Sequence, residues 1–587
     1  MALQSNTAIF IGGKEITAYK FLELHQQIDA HHLLEVVCRM DVLDDLSMAL
    51  GETSKNFLGE IITIQIGSLD NLGYNELEFK GIVTQIKTIK GYDVGSGNSI
   101  VIYAESPTFI ADDGPHYTSH NDISLSEIIE KTFSDYDTSK LEVNIQPKKD
   151  PTLHYSVQHN ESAYEYASRL AAQYGEWFYY NGAQLIFGTP DTKEIALIYG
   201  FDLREYHLSL LPQSHNYKYF ANDYLLAEVH EKATKEISSG ANGYSGFTSD
   251  KANTIFKKET KVWHNLYNDP QAKQRLDTSI EAQKKAIEIN QVKLNGVSDN
   301  PGVRLGSIVN IEGGTYRVTN VTHTNTEVGD YQNRFEAITA DFDAYPNTNI
   351  NAFPKSETQT AIVMENADPD GLGRIRVQMP WQKVVGEMTP WIRIVTPHAG
   401  GDKGFHFIPE IDEEVLIGFE GGNAEHPYML GSLYNGGGKA EAFKSEDNDI
   451  KAIKTRSGHT FELNDANGAE SITITDMNGN IITIDTANNN ITVSALENMT
   501  LNAKNMQINV EENFDVTVGK NKTETINENS QITAMNEDKQ IGEEIKVISA
   551  TYVQEAQEIT TDASGEIKTN AGGKISISSA ETVEYGE

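Results

Sequence analysis

The sequence predicts a mainly β protein in three parts: a long N-terminal region with a few helices, a small barrel, and a C-terminal ribbon of repeated short strands. Three observations support this. Short alternating segments bounded by Gly, Asn and Asp run through most of the chain. Glycine is common (46) and proline scarce (16). The last part repeats pairs of apolar residues at a step of roughly eight to ten residues.

Residues 1–345 form one compositional block of strand patterns with two predicted helices. A helix is predicted over residues 163–174, where apolar side chains recur every fourth position. Ser162 precedes it as an N-cap and Gly175 follows it as a C-cap. A second helix, rich in Ala, Gln, Lys and Glu, is predicted over residues 270–289. Strands are predicted at residues 61–66, 81–86, 307–311 and 316–321.

A small closed barrel of the oligonucleotide/oligosaccharide-binding (OB) type is predicted over residues 358–436. Five short strands fit into this segment, at residues 361–364, 374–379, 391–395, 414–419 and 428–433. The polar residues 346–357 precede it as a linker, and residues 437–450, rich in Gly and charge, follow it as a second linker.

Residues 451–587 contain the repeated apolar pairs, separated by Asn, Asp, Gly and Thr. The predicted core positions are Ile472, Ile474, Ile482, Ile484, Ile491, Val493, Ile508, Val510, Val516 and Val518. A single thin ribbon cannot bury the two or three apolar residues that each strand carries. Three chains sharing one core, with their strand edges paired to one another, bury them and leave no free edge. The sequence therefore predicts a triple-stranded β-helix formed by a homotrimer.

Charge and composition exclude several classes of function. The formal net charge of −38 argues against nucleic-acid binding and against simple adsorption to anionic lipid. A single cysteine, Cys38, excludes an internal disulfide and a multi-cysteine zinc site. No run of about 18 apolar residues and no signal peptide is present, so we expect the chain to start in the cytoplasm.

Some sequence patterns superficially suggest catalytic or metal sites, but their residues are not spaced as the known motifs require. Gly436–Lys439 lacks the spacing of a phosphate-binding loop, and Asp368–Gly371 lacks the later ligands of a calcium loop. His116 and His120 are four residues apart, but the residues around them predict a loop. We therefore expect no catalytic residue, no cofactor and no metal.

Ordered motifs along nearly the whole chain carry a resemblance to a known family. They lie at residues 158–162, 170–178, 373–377, 380–381, 407–410, 413–416, 421–422, 427, 431–435 and 454–459. In this order they resemble the VgrG family, the spike proteins of type VI secretion and related contractile injection machines. Two loop departures, Ile411-Asp412 and residues 423–426, leave this resemblance intact.

The resemblance implies a structural and non-enzymatic role. Residues 1–345 would be a hub that adapts three chains to a hexameric tube protein of the Hcp kind, and residues 451–587 a needle that punctures the target membrane. A PAAR-type tip protein would cap the end, at Ile577, Val583, Glu584, Tyr585, Gly586 and Glu587. Baseplate proteins and effectors are the further implied partners. The chain would be loaded at the baseplate and injected without a signal peptide, and we expect no effector domain after the needle.

Two alternatives remain open from the sequence. One is the spike of an extracellular injection particle or of a phage tail. The other is a glycan-degrading trimeric tailspike enzyme, which the scarcity of aromatic residues in the tail disfavours: they are Phe461, Phe514, Tyr552 and Tyr585.

Overall fold

The computed structural model describes residues 5–43, 50–68, 76–90 and 97–585. The chain divides into two compact units, the first made of residues 1–477 and 481–493 and the second of residues 478–480 and 494–587. The first unit holds the hub, the barrel and a small β-meander. No helix in the described ranges is both long and apolar enough to span a membrane.

The hub consists mostly of strands. They are β1 (Ser5–Ile11), β2 (Lys14–Glu15), β3 (Tyr19–Gln27), β4 (Leu33–Arg39), β5 (Ile61–Ser68), β6 (Leu77–Ile89), β7 (Ser99–Glu105), β8 (His116–Ser124), β9 (Val143–Gln146), β10 (Thr152–Glu161), β11 (Trp177–Tyr180), β12 (Leu185–Gly188), β13 (Glu194–Leu197), β14 (Leu203–Leu210), β15 (Tyr217–Asp223), β16 (Glu228–Ala233), β17 (Thr260–Trp263), β18 (Val292–Ser298), β19 (Ile308–Ile311), β20 (Gly314–Thr326) and β21 (Gln332–Thr339). The four strands predicted in this region are confirmed, within β5, β6, β19 and β20.

Helices cover parts of these sheets. They are α1 (Met40–Leu43), α2 (Glu52–Lys55), α3 (Leu125–Phe133), α4 (Ala163–Tyr174), α5 (Gly243–Ile255) and α6 (Ala272–Ile289), with 3₁₀ helices at Pro107–Ala111 and Thr234–Glu236.

One large sheet organises the hub. Its strand order is β14-β18-β21-β20-β3-β4-β7-β6-β5-β1-β2, with β19 paired to β20 and β13 paired to β19. Smaller sheets join β8 with β10, β9 with β12 and β11, and β15 with β16 and β17. The largest buried side chains of the hub core include Trp177, Tyr166 and Tyr179.

Helix α4 shows how local sequence sets local structure. The Ser162 Oγ accepts a hydrogen bond from the Glu165 N–H (3.0 Å), and the Glu165 carboxylate accepts one from the Ser162 N–H (2.9 Å). This reciprocal capping box pairs two N–H groups that have no partner inside the helix. Gly175 ends the helix at φ 72°, a left-handed conformation that favours glycine. The predicted bounds of α4 are confirmed, and the second predicted helix, α6, begins at Ala272.

The predicted linker over residues 346–357 forms no helix, and it lies against the hub. The Asn349 N–H donates to the Ala172 carbonyl of α4 (2.8 Å), and Ile350 is buried. This connection is therefore packed, which its polar composition did not indicate.

The barrel contains β22 (Gln359–Glu365), β23 (Arg376–Gln378), α7 (Pro380–Val385), β24 (Ala399–Gly400), β25 (Lys403–Gly404), β26 (Glu414–Phe419) and β27 (Pro427–Ser432). Its main sheet has the order β23-β22-β26-β27. A buried apolar cluster fills it, including Val363, Val377 and Val415.

The third predicted barrel strand, residues 391–395, is not a regular strand. It closes the barrel through two isolated bridges, Ile392 to Ile375 on one side and Ile394 to Met429 on the other. Because each side offers only one bridge, no continuous ladder forms, yet the predicted closure is retained.

Five short strands follow the barrel: β28 (Ile450–Lys454), β29 (Thr460–Asn464), β30 (Ser471–Thr475), β31 (Ile481–Asp485) and β32 (Asn490–Ser494). They pair in chain order as a meander, antiparallel from β28 to β31. The sequence predicted that strand edges here pair between chains, and this is wrong for these ladders. Connections of about five residues with turn-forming Gly, Asn and Asp let each strand pair with the next in the same chain.

Residues 495–585, in the second unit, contain neither helix nor strand, and every described residue there is exposed. The strands predicted at residues 508–510 and 516–518 are therefore absent from the single chain. A ribbon has no neighbouring backbone with which to form a ladder unless other chains supply one.

Candidate assembly site

The predicted core residues of the meander lie together on one face of its sheet. Ile472 is opposite Ile484, and Ile474 is opposite Ile482. Because directly opposed residues of an antiparallel pair share a face, and so do residues two apart, these four side chains form one apolar patch. The patch is open: Ile474 is 48% exposed and Ile482 is 43% exposed.

Three further apolar residues extend this face, and they were not among the core positions predicted from the sequence. Leu463 is opposite Ile472, Phe461 is opposite Ile474, and Ile453 is opposite Phe461. Apolar and polar residues alternate along β28 and β29, and this alternation would have identified them. The meander therefore presents an apolar face with a polar reverse side, an arrangement that normally packs against another surface.

The apolar alternation continues along the second unit. Ile491 and Val493, at the end of the meander, are 72% and 50% exposed, and Ile508, Val510, Val516 and Val518 are 47–59% exposed. Of the predicted tip residues, Ile577, Val583, Glu584 and Tyr585 are exposed, whereas Gly586 and Glu587 lie outside the described residues. The single chain thus leaves the predicted core positions in contact with water.

A buried charge cluster joins the barrel to the hub. The Arg169 guanidinium of α4 donates to both oxygens of Glu161 (2.6 and 2.9 Å), to the Val157 carbonyl (2.7 Å) and, more distantly, to Glu425 Oε1 of the barrel (3.4 Å). Glu425 Oε1 also accepts from the Val157 N–H (3.2 Å). Arg169 and Glu425 are both under 10% exposed. One buried cation therefore serves two carboxylates, one from the hub and one from the barrel.

Burial and pairing act in opposite directions on these groups. Burial alone would lower the pKa of Arg169, but Glu425 and Glu161 outweigh it and raise the pKa, so the guanidinium stays charged. Burial raises the pKa of Glu425, and the long contact with Arg169 opposes it only in part. The junction thus contains a carboxylate whose pKa is raised by burial beside an arginine that stays charged.

A second barrel carboxylate enters the hub at β8. Glu387 Oε2 accepts from the Ser119 N–H (2.5 Å) and Ser119 Oγ (2.9 Å), and Thr118 Oγ1 donates to the same carboxylate (3.2 Å). Nearby, the buried Gln382 amide donates to Ser119 Oγ (2.8 Å) and to the Tyr155 hydroxyl (3.2 Å). The barrel is therefore attached to the hub by buried hydrogen bonds as well as by packing, which fixes their relative orientation.

The patterns rejected as metal sites belong to regular parts of the fold. Asp368 Oδ2 accepts from the Leu372 N–H (3.0 Å) and the Arg374 Nε (2.9 Å), and Oδ1 accepts from Arg374 Nη2 (2.7 Å). The carboxylate thus closes its own turn. His116 and His120 lie on β8, so the loop predicted for them is wrong; pairing with β10 extends this polar segment. Among the described residues, no three His, Cys, Asp or Glu side chains are placed to hold a metal ion.

The Asp368 turn predicts a pH dependence of barrel stability. Burial acts to raise the pKa of Asp368, but hydrogen bonds from Arg374 and the backbone outweigh it and lower the pKa to about 2. A lowered pKa means that the ionised carboxylate stabilises the fold above its ordinary value of 3.8 and loses this effect as pH falls toward 2. Asp368→Asn should therefore lower the barrel's melting temperature at pH 7 and flatten its dependence between pH 4 and 2, in thermal scans across that range. Asp402→Asn, on the exposed β24–β25 hairpin, is the matched control, and an identical pH profile for both variants would contradict the role of Asp368.

Two family models match the parts already described. The phage tail baseplate hub model matches residues 43–197, and the injector OB-domain model of type VI secretion systems and phage baseplates matches residues 359–434. The first lies in the hub, and the second coincides with β22 to β27.

Curated relatives share short segments with the chain. The type VI secretion system spike protein VgrG2a of Pseudomonas aeruginosa is 27% identical over 106 residues, 18% of this chain and 13% of the relative. The actin cross-linking toxin VgrG1 of Vibrio cholerae is 26% identical over 92 residues, 14% of this chain and 8% of the relative. The alignments thus span only a small fraction of these longer proteins.

The fold extends the likeness over most of the chain. A chain of the Francisella PdpA–VgrG complex, in its lidded form, aligns with 84% of this chain and 80% of its own length, at a TM-score of 0.55 and 9% identity. Such low identity supports the shared fold alone. Taken together, the hub model, the injector-barrel model, the VgrG alignments and this fold support a spike protein of the VgrG kind.

Proposed function

We propose that this protein is the structural spike of a type VI secretion machine, working as a homotrimer whose tails form one shared needle. The observation that carries the proposal is the tail: apolar residues alternate through residues 450–585, yet the single chain leaves most of them exposed. Exposed apolar residues in such a regular pattern mark a surface that other chains cover. Three copies of this chain supply identical faces in register, and closure about one axis removes every free strand edge.

The remaining features fit a mechanical role. The hub serves as the adaptor to a hexameric tube protein of the Hcp kind. The contacts from Arg169 to Glu425 and from Ser119 to Glu387 hold the barrel in a fixed orientation on the hub. The needle end takes a PAAR-type tip protein, and baseplate proteins and effectors complete the assembly. We propose no catalytic role for the described residues. The chain is made in the cytoplasm, loaded at the baseplate and pushed through the target membrane.

A deletion strain of the producing bacterium tests this function. Loss of the gene should abolish release of the tube protein into the medium while its level inside the cells stays normal. The complete chain should restore release, and a chain ending at residue 436, which keeps hub and barrel, should not. Normal release from the deletion strain would overturn the proposal. Recovery of the chain in free particles from the medium would instead favour an extracellular injection particle or a phage tail.

A further inference from the structure

A groove of about 550 Å³ lies at the junction of hub and barrel, in the range of volumes typical of small-ligand sites. Its walls come from the turn after β15, from the barrel-closing segment 391–396 and from the loop and strand around residues 420–428. The segment 391–396 and the loop between β26 and β27 correspond to the third strand and the last loop of an OB barrel. Ligands of OB barrels bind around such strands and loops.

Aromatic rings from three separate elements line the groove. Tyr224 comes from the hub, Trp391 from the barrel-closing segment and Tyr428 from β27, and each is half-buried. The Tyr428 ring lies across Gly418, where an added Cβ would approach ring atoms to 3.0 Å. Glycine at that position therefore allows the ring to lie against the strand. Three half-buried rings on different supports therefore line one groove and offer apolar ring surface to a ligand.

Two charged side chains on the groove wall are available to a ligand. The Arg393 guanidinium lies over the Tyr224 ring, 4.7 Å from its centroid, and this cation–π contact holds it on the groove wall. Within the described part of the chain, neither Arg393 nor Glu420 forms a side-chain hydrogen bond or an ion pair, and both are exposed. A planar donor and a planar acceptor beside aromatic rings suit a ligand that has both hydroxyl groups and flat C–H faces.

Other ligand classes fit this groove less well. Nucleic acid is disfavoured by the net charge of −38 and by a single arginine among the groove's side chains. A peptide cannot add as a strand at residues 392–395, because their backbone already bonds to Ile375 and Met429 on the two sides. Recognition must therefore rely on ring faces and side-chain hydrogen bonds.

We propose that this groove binds an oligosaccharide of β-1,4-linked pyranose units, with the rings of Tyr224, Trp391 and Tyr428 stacked on its sugar faces. Arg393 and Glu420 hydrogen-bond to the sugar hydroxyls. The β-1,4 linkage gives a flat, extended chain whose sugar faces can contact more than one of the rings that line the groove. Binding here involves no covalent step and is separate from needle assembly. The binding proposal can therefore be tested independently of the proposed spike function.

Isothermal titration of the full-length protein with the tetramers of β-1,4-linked N-acetylglucosamine and of β-1,4-linked glucose tests the proposal. We expect saturable one-site binding of at least one tetramer. Trp391→Ala should weaken it at least tenfold, and Arg393→Ala should weaken it severalfold. Phe407→Ala, which removes an exposed barrel ring outside the groove, is the matched control and should leave the affinity unchanged.

Circular dichroism of each variant checks that the barrel remains folded. The proposal is overturned if neither tetramer binds, if Phe407→Ala and Trp391→Ala weaken binding equally, or if a proline-rich peptide binds the groove and the tetramers do not displace it.

Discussion

Ile508→Asp and Val516→Asp are expected to convert the proposed trimer into separate chains. Both side chains occupy the alternating apolar positions of the tail, and three copies of each would meet near one axis. Three buried carboxylates without partners cost several kcal/mol together at the least, because each loses its hydration. Light scattering after size exclusion should show the mass falling from three times 65.0 kDa toward 65.0 kDa.

The neighbouring positions provide matched controls for this experiment. Asn509→Asp and Thr517→Asp add the same charge one residue away, where an alternating strand directs the side chain to the opposite face. These variants should remain trimeric. If all four variants have the same mass, the assignment of inward and outward positions is wrong.

Arg169→Ala is expected to be the most destabilising single change at the junction of hub and barrel. It removes the cation that pairs with Glu161 and Glu425, and it leaves the buried Glu425 and the half-buried Glu161 without that cation. Breaking a buried ion pair on one side costs about 3–5 kcal/mol. Thermal unfolding, followed by circular dichroism, should begin at a clearly lower temperature than in the unchanged protein.

Two comparisons separate this effect from a general loss of charge. Arg39→Ala removes an arginine from an exposed pair with Asp41 and should leave the unfolding transition where it is. The double variant Arg169→Ala/Glu425→Gln should unfold at a higher temperature than Arg169→Ala alone, since one fewer charge is left buried. Equal transitions for Arg39→Ala and Arg169→Ala would show that the cluster does not hold the junction together.

Features set by neighbouring residues were predicted well. Helix α4 was predicted with its true bounds because three signals lie within 14 residues. They are the serine cap, the apolar residues at every fourth position and the terminal glycine. The barrel strands were predicted for the same reason, apart from the segment 391–395. That segment closes the barrel through single bridges, and alternation alone does not distinguish this from a regular ladder.

Contacts between distant residues were not predictable. Arg169 and Glu425 are 256 positions apart, and Ser119 and Glu387 are 268 apart. In a chain with 85 acidic residues, nothing marked these two glutamates as the ones that contact the hub. In the tail the apolar positions were identified, but the pattern did not show which strands pair. The meander pairs within the chain, and Ile453, Phe461 and Leu463 of its apolar face were overlooked.

The central claim is that several copies of this chain cover the apolar tail together. The most direct test is the solution mass of the purified full-length protein, by light scattering coupled to size exclusion. The account predicts a single species of three times 65.0 kDa, eluting earlier than a compact particle of that mass. A stable, folded species of 65.0 kDa would contradict it, because the alternating apolar residues of the tail would then need no second chain.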